Sequence, residues 1–372
     1  MHILRRKSRA PTGILLLPVE LLEHILNESC NTSRTALRST CSLLCSLATP
    51  FVFETLVIDI AKTHLSNFQD RLSFFAALVS GKTFARYVKH LRLVNMKIPV
   101  KNRTGPLDRI FFKKRREQHS KKLEELLVAA VPFLTSLQTV LYDGPDMAGL
   151  VFLQNGALWN QISYLPGMST VSAHEWVAGH PFSNSNFPHI TEVNIMDPVC
   201  FNPVAILVSR SPSLSSLNIC SRSSKSPLSI DPLFYEHPKG TYSSITALLL
   251  CGDFALRSHQ VHLLIPHLRQ LQSLELSIKF LTPAFWASLQ AEQIFLRWLS
   301  LSLSTDEPAL FDYLCSYSGL RSFFLGIRTG FGENAKKGME RVRERHGEIL
   351  DQQMCEPPGI RFGFNDQDHH QR

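Results

Sequence analysis

Apolar positions along the chain follow two rhythms, one helical near the amino end and one strand-like through much of the rest. In LPVELLEHILNES (17–29), Leu21, Leu22, Ile25 and Leu26 fall at i, i+1, i+4 and i+5 and share one face of a short helix. Pro18 suits the first turn, where its missing N–H is not needed, and Glu20 and Glu23 suit the positive end of the helix dipole. Ser33 is a candidate cap for a second helix, along which Leu37, Cys41, Leu44, Cys45 and Ala48 form one stripe. Pro50 is expected to end that helix and lead into a turn through Phe51–Glu54. Three small helices in about forty residues make a weak core and need a partner or a packed neighbour. The plainer alternative is a helical cap on whatever follows.

Beyond residue 50 a pattern of apolar-x-x-apolar-x-apolar recurs. Its members are Phe53/Leu56/Ile58, Val88/Leu91/Leu93, Leu134/Leu137/Thr139, Ile190/Val193/Ile195, Leu214/Leu217/Ile219, Ile245/Leu248/Leu250, Leu271/Leu274/Leu276, Leu296/Leu299/Leu301 and Leu320/Phe323/Leu325. First members are spaced by 35, 46, 56, 24, 31, 26, 25 and 24 residues, and the long gap is expected to hide a further unit near Ile162–Tyr164. The alternation within each unit predicts a strand with its second and third apolar residues on one face. Helix candidates lie between units at 63–81, 109–131, 259–271 and 283–290. Strand–helix units stacked in this way predict an α/β fold with a curved parallel sheet and helices outside. An ordinary α/β domain whose strands merely look alike is the other reading. After Gly330, ENAKKGMERVRERHGEILDQQ predicts a solvated helix of mixed charge, placed to cap the open end, and a loose tail follows.

LPVELLEHILNES…LRSTCSLLCSLATPFVFETLVI resembles an F-box of the form seen in fungal F-box proteins. The shared features are Leu17-Pro18, Glu20-Leu21-Leu22, Ile25-Leu26, the Leu37-Arg38 helix with its Cys41, and the Ala48-Thr49-Pro50 exit followed by Phe51 and Phe53. Family members often carry an aromatic about three residues after that Cys, where this chain has Leu44. The resemblance covers 15–58 and implies docking to the Skp adaptor subunit of a cullin–RING ubiquitin ligase. The implied adaptor-binding residues are Leu17, Pro18, Leu21, Leu22, Ile25, Leu26, Leu37 and Cys41, an amphipathic set suited to a hydrophobic groove. The pattern alone leaves open which of them face the partner and which pack inside.

The later units resemble leucine-rich repeats, whose period is about 20–29 residues. Where that family continues to Asn or Cys, this chain has Met96, Pro198, Arg222, Asp253, Lys279, Ser304 and Arg328, so its turns are expected to be irregular. The resemblance implies an irregular leucine-rich-repeat-like solenoid holding a protein target on its concave strand face. Residues alternating with the inward Leu positions point there: Arg92, Val94, Asn194, Met196, Asn218, Cys220, Glu275, Ser277, Ser300, Ser302 and Phe324. Of these, Arg92, Asn194, Asn218, Glu275, Ser300 and Phe324 are the leading target-binding candidates.

Composition narrows the function further. The 372 residues are 44% hydrophobic and 19% charged, ample for a large core, and the net charge is +8. That charge is local. Segment 101–122 holds nine basic residues against Asp108 and Glu117, and Arg5, Arg6, Lys7 and Arg9 add four. Basic residues interleaved with aromatics along one face, as a nucleic-acid surface would show, are not evident. Lys113-Lys114-Arg115-Arg116 reads as the solvated face of a helix with Phe111 and Phe112 on its buried side, or as an import address or a site for acidic partners. The eight Cys show no CxxC and no zinc spacing, which predicts free thiols in a reducing cytoplasmic or nuclear compartment. No apolar run approaches a membrane span, and Ile14–Leu17 is too short for a secretory core.

Phosphate-binding loops, nucleophile elbows and zinc-protease motifs do not occur. His259, His262 and His267 cluster in one helical segment, where solvent-facing or helix-end roles outweigh metal binding. No catalytic residues, metal or cofactor are therefore expected. The expected organisation is a basic disordered start at 1–13, F-box-like helices at 14–55, the repeat array at 56–330, and a charged helix and tail at 331–372. The expected function is a substrate-recognition adaptor of a Skp–cullin–F-box ligase. The alternative is an interaction scaffold whose helical start only caps the repeats.

Overall fold

The computed structural model describes residues 13–59, 76–78, 80, 84–94, 118, 121–122, 125–143, 157–174, 186–198, 201–221, 230, 233, 242–303, 308–327 and 332–347. The expected helix over 63–81, apart from 76–78 and 80, lies outside the described residues. So do the basic run 113–116, both ends of the chain and the positions Met96, Arg222, Ser304 and Arg328.

A single 3-10 turn, Gly13–Leu16, leads into three helices: α1 (Val19–Glu28), α2 (Asn31–Arg38) and α3 (Ser42–Val52). The expected second helix is thus two. It breaks at Ser39–Thr40, where both backbone N–H groups and both hydroxyls turn back onto the carbonyls of Ala36 and Leu37. Cys41 is not one residue of a continuous stripe but the cap of α3, accepting the Leu44 N–H at 3.5 Å. Cys30, not Ser33, precedes α2. Pro50 lies inside α3 instead of ending it. Its missing N–H frees one carbonyl, but the Phe53 N–H still reaches Thr49 O at 3.1 Å, and Arg38 Nε holds the Thr49 hydroxyl at 3.2 Å. Arg34 ties α2 to the end of α1, donating to Leu26 O at 2.8 Å and Asn27 O at 2.7 Å. Those carbonyls are the unsatisfied C-terminal groups of a helix, where a cation is favourable.

Ten strands follow: β1 (Thr55–Asp59), β2 (His90–Val94), β3 (Thr139–Asp143), β4 (Thr170–His174), β5 (Glu192–Met196), β6 (Ser216–Ser221), β7 (Ala247–Leu256), β8 (Ser273–Leu281), β9 (Trp298–Leu303) and β10 (Ser322–Ile327). They form one sheet in sequence order, and every pairing is parallel. The α/β class and the parallel sheet therefore agree with the expectation. The inward rows run unbroken across the strands: Leu91, Val140, Val171, Val193, Leu217, Leu248, Leu274, Leu299 and Phe323 in one, and Leu93, Tyr142, Ala173, Ile195, Ile219, Leu250, Leu276, Leu301 and Leu325 in the next. All are buried, and each Val, Leu, Ile or Phe among them stabilises the fold by about 1.5–3 kcal/mol.

Two units differ from the expected ones. Register sets Val140 and Tyr142, not Leu137 and Thr139, on the inward rows of β3. Leu134 belongs to the preceding turn, its carbonyl accepting the Leu137 N–H at 3.0 Å. The hidden unit is Met168/Val171/Ala173 on β4, and Ile162 sits instead on α4 (Ala157–Ser163).

A backbone relay runs along the entrances of the strands. The carbonyls of Glu54, Lys89, Gln138, Ser169, Thr191, Ser215, Thr246, Gln272 and Arg297 each accept two successive N–H groups at the entrance to the next strand, at 2.7–3.1 Å. This relay needs no particular side chain, so the entrances keep one geometry while their residues vary.

Helices on the connections pack behind the sheet: α4, α5 (Asn202–Ser209), α6 (Ser258–Leu264, continued by a 3-10 turn Ile265–Leu268), α7 (Ala284–Ala291) and α8 (Pro308–Cys315). Trp286 stacks on Tyr313 with centroids 5.7 Å apart, and the Tyr313 hydroxyl donates to Ile294 O at 2.7 Å. The final helix α9 (Glu333–His346) is not wholly solvated. Ala335, Gly338, Val342 and His346 are buried, and α9 packs on α8. His346 accepts the Leu320 N–H on Nδ1 and meets Leu314 O through Nε2 at 2.8 Å.

Candidate functional site

Two surfaces stand out: the outer side of the helices and the strand face opposite the core. α1 divides its apolar residues between two environments. Leu22 and Leu26 are 1% exposed and pack inward with Leu44 and Ala48 of α3. They are therefore internal core and not partner-facing, which corrects their assignment to the adaptor-binding set. Leu21 and Ile25, one turn apart, point outward, and with Ile14, Leu16, Leu17, Val19 and Leu43 they are 37–68% exposed. Pro18 is exposed, and Leu37 and Cys41 are half-buried. Ile14, Leu16, Val19 and Leu43 were not among the expected contacts. Their signal was an apolar residue lying off the inward stripe. Exposed apolar residues concentrated in one short stretch of chain are a signature of interaction surfaces.

Beside this surface, the Cys30 thiol sits at the start of α2, 3.2 Å from the Ser33 hydroxyl and 3.0 Å from that of Thr32. Hydrogen bonds from Ser33 first and Thr32 next favour the thiolate and lower its pKa to about 6. Cys30 is expected to be alkylated by iodoacetamide with a half-maximal rate near pH 6, while Cys315, whose thiol burial pushes up, reacts only at higher pH. Peptide-resolved mass spectrometry across pH checks this. A Ser33→Ala chain should show the Cys30 midpoint moved upward, and an unchanged midpoint contradicts the assignment.

The strand face opposite the core carries three rows. The middle row reads Val57, Arg92, Leu141, Ser172, Asn194, Asn218, Leu249, Glu275, Ser300 and Phe324 in register. All six leading target-binding candidates thus fall on one line across nine strands, because in-register parallel pairing turns a fixed place in each unit into a row. The third row holds Val94, Ser277 and Ser302 as expected. Met196 and Cys220, also expected there, are each 3% exposed and closed off from a partner. The chain leaves the sheet at that point, with the Asp197 N–H on Cys220 O at 2.7 Å.

A polar network links the middle of this face. Asn218 Nδ2 donates to Asn194 Oδ1 at 2.6 Å, and Asn194 Nδ2 donates to Ser172 Oγ at 3.2 Å and Glu192 Oε1 at 3.0 Å. Glu192 also accepts the Thr170 hydroxyl at 3.3 Å. At the strand ends, His174 lies between Asp143 (3.8 Å) and Asp197 (3.4 Å), contacts that orient the ring electrostatically. Among the described residues, no three His, Cys, Asp or Glu side chains are arranged to hold a metal ion. His259 and His262 are exposed on α6, whereas His267 is buried and accepts the Ser243 N–H at 3.1 Å. No helix among the described residues is long and apolar enough to cross a membrane.

Burial raises the pKa of Glu275. A carboxyl whose folded pKa lies above its unfolded value stabilises the fold when protonated, and that contribution is lost as pH rises through the window above the ordinary Glu value. Glu275→Gln removes this dependence. Its melting temperature is expected to exceed that of the unmodified chain by a margin that widens between acid and neutral pH. A margin that stays constant or narrows counts against the desolvated carboxylate.

No protein-family model matches the chain, and no curated protein matches it.

Proposed function

We propose that the chain is a non-catalytic adaptor. Its three helices act as an F-box that docks on the Skp subunit of a cullin–RING ubiquitin ligase, and its sheet, as an irregular leucine-rich-repeat solenoid, holds a protein target. The observation that carries the reading is the split of α1. Leu22 and Leu26 already complete the internal core, so Leu21 and Ile25, with Leu17 just before the helix, remain as apolar surface with no structural use among the described residues. Such a helix face fits a hydrophobic groove. Target and ligase held on one body raise the effective concentration of a target lysine, which accounts for a function without bond chemistry in this chain. The work belongs to the cytoplasm or nucleus.

Co-purification tests this. Full-length chain is expected to retain the Skp adaptor, and Leu17→Ala with Pro18→Ala and Ile25→Asp is expected to lose it. Retention of none, where a known F-box retains adaptor, contradicts the proposal.

One observation favours the second reading, in which the helices only cap the sheet. Phe53 stacks on Phe84 with centroids 4.7 Å apart, and Lys89 pairs with Glu54 at 2.9 Å across the same junction. Deleting residues 1–50 separates the two. A cap deletion makes the sheet melt or aggregate, whereas loss of a docking hook leaves it folded.

A further inference from the structure

The middle row of the open face carries two ionisable side chains that have no polar partner among the described residues. Arg92 on β2 is flanked across the sheet by Val57 and Leu141, and its buried Nε has no hydrogen-bond acceptor. Glu275 on β8 is flanked by Leu249 and Ser300 and is half-buried. Neither makes an ion pair or hydrogen bond among the described residues. Other ionised groups of this face are met: Glu192 by Thr170 and Asn194, and Asp253 by Lys279 at 3.0 Å. A charge drawn out of water without a partner weakens a fold. Two of them kept on one row, opposite in sign and separated by a polar stretch of Ser172, Asn194 and Asn218, suit an occupant that pairs with both.

We infer that the middle row binds an extended segment of the target protein lying across the strands, with an Asp or Glu carboxylate on Arg92 and a Lys or Arg cation on Glu275. Strands β2 and β8 are six steps apart in the sheet. At about 4.8 Å per step the anchors stand roughly 29 Å apart, the span of about eight or nine extended residues. Spacing and charge together then form the selection rule: one acidic and one basic residue, that far apart, with small polar residues between. The inference rests on the reading of this face as the target site.

Fluorescence anisotropy with the full chain tests it. The probes are labelled synthetic peptides with one Glu and one Lys in a Ser/Asn/Thr background, the two charges placed either about nine or about four residues apart. The wide spacing is expected to bind at least about tenfold tighter, and Arg92→Met or Glu275→Gln to remove that advantage. In the exchanged pair Arg92→Glu with Glu275→Lys, the preference between Glu-first and Lys-first peptides should invert. Equal binding of both spacings, no binding of the wide peptide up to millimolar concentration, or no effect of the variants overturns the inference. Thermal melts give a readout independent of any peptide. Each single variant removes an unpaired charge and is expected to raise the melting temperature; a fall assigns these charges to the fold and overturns the inference. The titrations contain no adaptor, so failure of Skp capture bears on the ligase reading alone.

Discussion

Gly252→Ala is expected to cost about 3–5 kcal/mol of folding stability, the sum of backbone strain and a steric overlap with main chain. Gly252 lies in β7 with φ of 112°, and a Cβ there would meet Ser221 O of β6 at 1.7 Å. The neighbour is main chain of a paired strand, so it cannot rotate aside. The site also adjoins the register shift of β7 against β8 between Gly252 and Ala255. Gly319→Ala is the control. Gly319 has φ of 105° but nothing within 4 Å of the added carbon, so only the conformational strain remains, about 1–2 kcal/mol. Urea unfolding of both variants checks the difference. Equal losses would mean that the approach of β6 to β7 is looser than described.

Charge on the outer side of α1 should abolish adaptor capture without unfolding the chain. Leu21→Asp with Ile25→Asp replaces two exposed side chains, so the loss should stay at about 1–2 kcal/mol, from lower helix propensity and the like charges one turn apart. Adaptor affinity should fall more than about a hundredfold, because each apolar side chain sunk in a groove contributes about 1.5–3 kcal/mol and each carboxylate must also be desolvated. Leu22→Asp should behave oppositely in its first effect. It places an unpaired charge in the small core shared with Leu26, Leu44 and Ala48, so the helices themselves should melt. Circular dichroism and calorimetric titration distinguish the two. If Leu21→Asp with Ile25→Asp binds adaptor undiminished, the outer face is not the contact.

Much of the sheet was legible because a parallel strand buried on one side leaves a period of two, and the units at Leu214, Ile245, Leu271, Leu296 and Leu320 have large apolar residues at every inward place. The same alternation placed Arg92, Asn194, Asn218, Glu275, Ser300 and Phe324 on the opposite face. Their alignment into one row is a property of register, which only the paired strands reveal. Two units were obscured for local reasons. In Met168/Val171/Ala173 the last inward place holds the small, weakly strand-forming Ala173, and at β3 the turn residue Leu134 imitates the start of a unit three residues early. The helix Asn202–Ser209 had no counterpart among the expected elements; Pro203 in its first turn and burial on more than one side favour it.

Within the amino-terminal helices, pattern gave the apolar faces but not their division. Leu21 and Leu22, or Ile25 and Leu26, are neighbours in any helical projection, and only the position of α3 decides which member of each pair is covered. Cys41 counted as apolar in a stripe, yet its sulfur accepts a backbone N–H and begins a new helix. That Arg92 and Glu275 lack a polar partner among the described residues was equally hidden, since it depends on cross-strand neighbours far away in the chain.

Hydrogen–deuterium exchange of the full chain, with and without the Skp adaptor, tests the docking claim most directly. The expected result is a saturable complex, formed at about 10 μM or below, in which exchange slows over residues 14–27 and stays unchanged in β8 and β9. Absence of a complex at that concentration, or protection confined to the sheet, would contradict it.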